Sequence, residues 1–197
     1  MILNRSNLLI VGLGNPGTNY IHTRHNLGAI WVKRLCTEYN TSLRLNDKLN
    51  AHIVHLDPNT ICMIPNDYMN HSGFAVQKVY KYYKYDIENI VVVHDELDLA
   101  PGDIRFKLYG GHGGHNGLRH IIEQLQTNHF KRIRIGIGHP KIPEQVADYV
   151  LSSANKSEQL TINAAIENSL QIIPNLLTHN WQQVMQFLHQ PKISGEK

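Results

Sequence analysis

The sequence predicts a single α/β domain, a twisted mixed β-sheet flanked by helices, on three observations. Ile90-Val91-Val92-Val93 is a continuous apolar run, the pattern of a strand buried on both faces of a parallel sheet. Ile104, Phe106 and Leu108 alternate with Arg105 and Lys107, and Ile133, Ile135 and Ile137 alternate with Arg132, Arg134 and Gly136. Period two of this kind puts one strand face on the core and leaves the other to display arginine and lysine. Between such segments, apolar residues recur at helical spacing, as in Leu27, Ile30, Trp31 and Leu35.

Taken in order, strands are expected at 8–11, 51–56, 60–64, 90–94, 104–108 and 131–137. Asp57-Pro58-Asn59 reads as a hairpin turn joining the second and third of these. Helices follow from Leu27 to Leu35, from Val76, Val79, Tyr80 and Tyr83, and from Leu118, Ile121, Ile122 and Leu125. Asn155 with Glu158 forms a capping-box sequence that opens a long helix, which Pro174 should end or kink. A last helix carries Trp181, Val184, Met185 and Leu188. A length of 197 residues favours one domain over 1–190, with a loose tail at 191–197.

Bulk composition excludes several classes. The hydrophobic content of 42% fits a soluble globular chain. Cys36 and Cys62 form no motif and read as buried free thiols, which fits a reducing compartment. No apolar run reaches the ~20 residues of a bilayer span. Leu8-Leu9-Ile10-Val11 is cut short by Gly12 and Pro16, too brief for a signal-peptide core. These features place the chain in the cytoplasm. Net charge is only +3, yet the stretch from Arg105 to Lys141 holds seven Lys/Arg against the single acid Glu123, along with five histidines. Such asymmetry suits either a polyanionic partner or a solvated basic face.

Gly12-Leu13-Gly14-Asn15-Pro16-Gly17 follows a strand and matches the dinucleotide fingerprint letter for letter. Its chemistry does not fit. Pro16 removes a backbone N–H from the turn, Thr18-Asn19-Tyr20 continues as loop, and Glu38 falls in a helix rather than at a strand end. The loop instead holds Asn15 at the carboxyl edge of the sheet, where an amide can both donate and accept. Asp95 should stand at the end of strand 90–94, placed to fix the tautomer of an imidazole. His25 opens a helix, as a capping residue or as a base whose pKa the helix N-terminus lowers. No Gly-x-Ser-x-Gly elbow is present, so the simplest nucleophile is water activated by a His–Asp pair. Gly110-Gly111-His112-Gly113-Gly114-His115-Asn116-Gly117 precedes a helix and is either an anion-binding loop or an unliganded one. His112 and His115, His22 with His25, or Asp95 and Asp98 are conceivable metal ligands, but none has zinc-site spacing, so no metal is assigned. Asn70, in Tyr68-Met69-Asn70, is either a helix cap or a second substrate-facing amide.

Six motifs in order give the chain a specific resemblance. Gly12–Gly17, Arg24-His25-Asn26, Tyr68-Met69-Asn70-His71-Ser72-Gly73, His94-Asp95-Glu96-Leu97-Asp98, Gly110–Gly117 and Arg134-Ile135-Gly136-Ile137-Gly138-His139-Pro140 resemble those of the bacterial peptidyl-tRNA hydrolases. The match runs from Ile10 to about Leu151, with the C-terminal helices alike in pattern only. The resemblance implies a monomeric esterase with no cofactor and no metal. Its substrate is the ester between a peptide and the 3′-terminal ribose of tRNA, so that peptidyl-tRNA lost from ribosomes is recycled. It implies the tRNA acceptor end with its peptide as partner, a stalled large ribosomal subunit as a further one, and no membrane. By the same resemblance, His25 matches the catalytic base and Asp95 the residue that stabilises it. Asn15 matches the position that separates blocked from free aminoacyl-tRNA. Tyr20, Tyr68, Asn70 and Asn116 match substrate-binding positions, with Met69 in the same cleft. Arg105, Lys107 and Arg134 match positions expected to meet tRNA phosphates. Asp67 and His71 depart from the usual neutral and apolar residues, and bear on the peptide side rather than the reaction.

Two other classes compete with this reading. A non-enzymatic RNA-binding protein would use the basic stretch alone, and the His25–Asp95 pair argues against it. A metal-dependent aminopeptidase-like hydrolase would need metal-spaced ligands, which the sequence lacks.

Overall fold

The computed structural model describes residues 7–142 and 145–190; the tail expected at 191–197 lies outside them. Strands β1 (Leu8–Gly12), β2 (Arg44–Asn46), β3 (Ala51–Asp57), β4 (Thr60–Pro65), β5 (Ile90–Glu96), β6 (Ile104–Lys107) and β7 (Lys131–Gly136) form one sheet in the order β2-β3-β4-β1-β5-β7-β6. The centre is parallel, β1 pairing with β4 and β5, and β5 with β7. The margins β2, β3 and β6 run antiparallel to their neighbours. Helices are α1 (Leu27–Glu38), α2 (Ser72–Tyr83), α3 (Asn116–Leu125), α4 (Val146–Val150), α5 (Lys156–Ser169), α6 (Ile173–Leu177) and α7 (Trp181–Leu188).

The alternation of side chains along the central strands splits the core in two. Leu8 and Ile10 of β1 and Val91 and Val93 of β5 face α1 and α5–α7, while Leu9, Val11 and Val92 face α2 and α3. Each fully buried aliphatic side chain is worth about 1.5–3 kcal/mol removed from water. Trp31 is fully buried, and its indole N–H donates to Ser169 Oγ at 2.8 Å, tying α1 to α5. The capping box at Asn155 and Glu158 forms as expected. Pro174 lies in the first turn of α6, after a 3-10 turn at Leu170–Ile172 that ends α5.

Several features differ from expectation, the short helix α4 among them. β2 is additional, a three-residue, mostly exposed strand on the sheet margin. β5 extends to Glu96, so Asp95 sits within the end of the strand rather than after it. Arg132 does not lie on a displayed face; it is 2% exposed. The Gly110–Gly117 loop covers it, and its guanidinium donates to the carbonyls of Gly110 and Gly111. Burial, with Arg134 beside it, pushes the Arg132 pKa down to about 10, against the pull of Glu96.

One close approach positions the site. A Cβ on Gly28 would fall 2.1 Å from the Val93 carbonyl oxygen, and one on Gly12 would fall 2.6 Å from the Gly28 oxygen. Only glycine lets α1 lie this near β1 and β5. The first glycine of the false fingerprint therefore serves helix packing, and the turn before α1 is carried to the carboxyl end of β5. No helix among the described residues is long and apolar enough to cross a membrane.

Candidate active site

A 3-10 turn, Arg24–Asn26, leads into α1 and presents His25, which is buried. His25 Nδ1 lies 2.9 and 3.0 Å from the two carboxylate oxygens of Asp95. A second imidazole meets the same carboxylate, His115 Nε2 at 3.0 Å from Asp95 Oδ1. His115 is the N-cap of α3, and its Nδ1 accepts the Leu118 N–H at 3.3 Å. With Nδ1 accepting, the proton of a neutral His115 is on Nε2 and is donated to Asp95. His25 in turn donates from Nδ1, which leaves its Nε2 with a free lone pair.

Burial alone would raise the Asp95 carboxyl; His25 and His115 reverse that and hold it well below the usual carboxylate range. Burial also pulls the His25 imidazole down, and the charge and hydrogen bond of Asp95 more than restore it, to above the ordinary 6.5. The helix N-terminus alone would lower it, as the sequence leads one to expect. A carboxylate at 2.9 Å outweighs a dipole effect worth about 0.3–1 kcal/mol. Behind them, His94 donates from Nδ1 to the Asp95 carbonyl at 2.6 Å. Burial, reinforced by His115, keeps the His94 ring neutral.

The donor atoms of His25, Asp95 and His115 all lie within 4.8 Å of one another, close enough to surround a cation. Their N···O separations of 2.9–3.0 Å are hydrogen-bond lengths, so a cation would have to displace the protons that these bonds hold. The cluster opens into a cavity of about 320 Å³, lined also by His112, Asn116 and by Val146 and Val150 of α4. A larger cavity of about 550 Å³ is bordered by Asn15, Asn26, Lys33 and His52 and contains none of the acid–base cluster.

Asn15 is held on three sides. Its N–H donates to Asn26 Oδ1 at 2.8 Å, Asn26 Nδ2 donates to its carbonyl at 2.9 Å, and its own Oδ1 accepts the Met69 N–H at 2.7 Å. The side-chain oxygen is thus committed, and its NH₂ has no partner among the described residues. Met69 is buried, whereas Asn70, Tyr68 and Asn116 are exposed. The Tyr20 and Tyr68 rings meet edge to face at 6.2 Å. Of these residues, Asn116 lines the same cavity as His25 and Asp95, while Asn15 borders the larger one.

The three basic residues lie along β6 and β7, where Arg105 is in register with Arg134. Arg134 Nε donates to Glu96 Oε2 at 2.8 Å, and Arg105 Nη1 to the Leu188 carbonyl at 2.7 Å; Lys107 is exposed.

Three structural partners are not evident from sequence. His115 reads there only as a conceivable metal ligand, although its place just before a helix start signals an N-cap. Asn26 and Arg24 fall within a motif that assigns them no role. Arg24 is buried against the Tyr149 ring, donates to Ser152 Oγ at 2.8 Å and pairs with Glu158 at 2.9 Å, binding the His25 turn to α4 and α5.

Comparison with known proteins identifies the family. The sequence profile described as peptidyl-tRNA hydrolase matches residues 9–196. A peptidyl-tRNA hydrolase of Francisella tularensis subsp. novicida is 45% identical over 184 residues, 92% of this chain and 96% of that protein. One of Nitrosomonas eutropha is 46% identical, covering 92% and 94%. The crystal structure of the Acinetobacter baumannii peptidyl-tRNA hydrolase superposes with a TM-score of 0.88 at 39% identity, over 93% of this chain and 95% of that one. A further crystal structure, a peptidyl-tRNA hydrolase complexed with N-propanol, gives 0.89 at 39% identity over 95% and 97%. With a profile spanning nearly the whole sequence and relatives matched almost end to end, the chain belongs to the peptidyl-tRNA hydrolase family, enzymes that hydrolyse the ester of peptidyl-tRNA.

Proposed function

We propose that His25 and Asp95 carry the ester hydrolysis by activating water. The single observation behind this is the buried carboxylate of Asp95 bonded at 2.9 Å to His25 Nδ1, which leaves Nε2 as the free base. His25 Nε2 removes a proton from water as the oxygen attacks the ester carbonyl carbon. Asp95 steadies the imidazolium so formed. The tetrahedral intermediate then collapses, the bond to the ribose 3′-oxygen breaks, and His25 returns the proton to that oxygen. The products are the free peptide acid and tRNA. His115 holds the same carboxylate from a second direction, so it cannot turn away from His25.

On this reading the free NH₂ of Asn15 donates to the carbonyl of a blocked α-amine. Tyr20, Tyr68, Met69, Asn70 and Asn116 form the walls that hold the peptide and the terminal ribose. Arg105, Lys107 and Arg134 meet phosphates of the acceptor arm. The enzyme works as a monomer in the cytoplasm, without metal or cofactor; the free thiols of Cys36 and Cys62 suit that compartment. Peptidyl-tRNA lost from ribosomes is its supply, and contact with a stalled large subunit is part of the same reading. The test is hydrolysis of N-acetylaminoacyl-tRNA by wild type and His25→Ala, each with and without chelator. Turnover that survives chelator and is lost with His25 supports the reading. Chelator-sensitive turnover, or a fully active His25→Ala, overturns it.

A further inference from the structure

Beside the candidate site lies a cluster of three rings that the mechanism above does not use. His71 closes the 3-10 turn Met69–His71, Phe74 is in the first turn of α2, and His120 is on α3. Phe74 and His120 meet edge to face with centroids 4.5 Å apart; His71 lies 5.9 Å from His120 and 6.2 Å from Phe74. The contact is built by the backbone. A Cβ on Gly73 would fall 2.4 Å from the His120 carbonyl oxygen, so α2 and α3 touch there main chain to main chain. The Gly73 N–H donates to His120 Nδ1 at 3.0 Å, which fixes that ring. Phe74 nevertheless stays 47% exposed, and His71 is exposed with it. A large ring held in place but uncovered is a surface that can take a partner.

Its place identifies the partner. His120 is four residues along α3 from Asn116, on the same helix face and about 6 Å away at 1.5 Å per residue. His71 follows Asn70 directly, and Asn70 follows Met69, whose N–H holds the Asn15 side chain. The cluster is thus joined to the part of the site that reads the acyl side of the ester. The arginines and lysine expected to meet phosphate are on strands β6 and β7, whereas the rings are on α2, α3 and the turn before α2. One turn on, Phe74 is followed by Gln77 and Lys78 and His120 by Glu123 and Gln124, so the surround is mixed in charge, with Gln77 donating to the Gln124 carbonyl. A residue of extended peptide spans about 3.3 Å, so the side chain of the residue just upstream of the esterified one is of a length to meet a ring about 6 Å from Asn116.

We propose that His71, Phe74 and His120 form a subsite for the side chain of the penultimate residue of the peptide, favouring aromatic and large apolar side chains. This rests on the substrate orientation given above, with Asn15 on the acyl side. An edge-to-face or stacked contact on Phe74 gives about a three- to tenfold preference over glycine. Phe74 is exposed, so its replacement does not open the core.

The experiment compares tRNA carrying N-acetyl-Phe-Gly with tRNA carrying N-acetyl-Gly-Gly, through the same terminal glycine. Wild type should show the preference in kcat/KM. Phe74→Ala and His71→Ala/Phe74→Ala should bring the ratio near one, and Phe74→Trp should keep it. A wild-type ratio of one, or a ratio unchanged in Phe74→Ala, overturns the subsite. So does an equal loss on both substrates, which would put a tRNA base on the rings. His25→Ala, run beside them, separates this outcome from failure of the catalytic reading: it should abolish turnover of both substrates whatever the ratio.

Discussion

Asp95 and Arg134 stand on neighbouring strands, with Asp95 in register with Ile135 and His94 with Arg134, yet the groups around them obey different physics. Around Asp95, two imidazoles converge on one carboxylate that is 3% exposed. The carboxylate is shielded from bulk solvent, so each interaction is strong and its loss leaves a buried group unpaired. Arg105, Lys107 and Arg134 of β6 and β7 are partly or fully exposed. Arg134 is already paired with Glu96, and Arg105 already holds a main-chain carbonyl. Their remaining exposure lets solvent and salt weaken the charge interactions along this edge. The buried cluster therefore concentrates its effect in a few atoms, and the basic edge spreads its effect over several.

The sharpest way to break this contrast is at His25. His25→Ala should lower kcat by about 10²- to 10⁴-fold, the range for a positioned base, with tRNA binding retained and the loss the same at low and high salt. Single-turnover hydrolysis assays at two ionic strengths would check it. Asp95→Asn should follow, lowering kcat by roughly 10²-fold and moving the pH profile. The sign is fixed by His25, whose pKa Asp95 raises above its ordinary value. A base works only unprotonated, so wild-type kcat/KM falls as pH drops through that raised pKa. Without the carboxylate the imidazole titrates lower, and the acid limb shifts to lower pH. Superimposable profiles would show that Asp95 does not tune His25.

Asn15 tests whether geometry set by hydrogen bonds can also select substrate. Its oxygen is committed to Met69, so only the NH₂ end is left for a ligand on the proposed reading. A free ammonium at that point finds a donor where it needs an acceptor. An unpaired polar group costs about 1–3 kcal/mol, or roughly 10- to 100-fold in selectivity. Asn15→Asp should narrow the ratio of kcat/KM between N-acetylated and free aminoacyl-tRNA by that factor. A ratio unchanged in Asn15→Asp and Asn15→Ala would move the selectivity to Asn70 or Asn116.

The sheet is legible in the sequence wherever burial is periodic. The apolar run at β5 and the alternation in β6 and β7 expose their environment directly, and the order of motifs singles out His25 and Asp95, which the fold brings into contact. Arg44-Leu45-Asn46 leaves no such trace, because a short exposed strand has no buried face to pattern. Alternation correctly puts Arg132 off the apolar core, but a glycine loop folding back over it is a long-range contact with no local signal. His115 is legible as a helix start and not as a partner of Asp95, twenty residues away. The direction of the His25 shift is hidden for the same reason: the helix end is local, and the carboxylate that overrides it comes from another strand.

The smallest effects belong to the basic edge, and they sharpen the comparison by their salt dependence. Lys107 is exposed and has no ion pair among the described residues, so its ammonium is available to a phosphate without breaking anything first. Lys107→Ala should raise KM for tRNA substrates by about two- to fivefold at low salt, the scale of one exposed charge interaction, with kcat unchanged. Removing one phosphate-neutralising charge should also flatten the slope of log K against log salt by about 0.7–0.9. Arg134→Gln should flatten it by a similar amount but raise KM further, because Glu96 would be left unpaired facing a polyanion. Arg105→Gln should act partly through the fold. The Leu188 carbonyl loses its donor, so about 1 kcal/mol of stability goes with it, visible as a lower Tm before any change in KM. Titrations across ionic strength for the three variants separate these outcomes. Three slopes equal to that of wild type would remove this edge from the proposed tRNA interface.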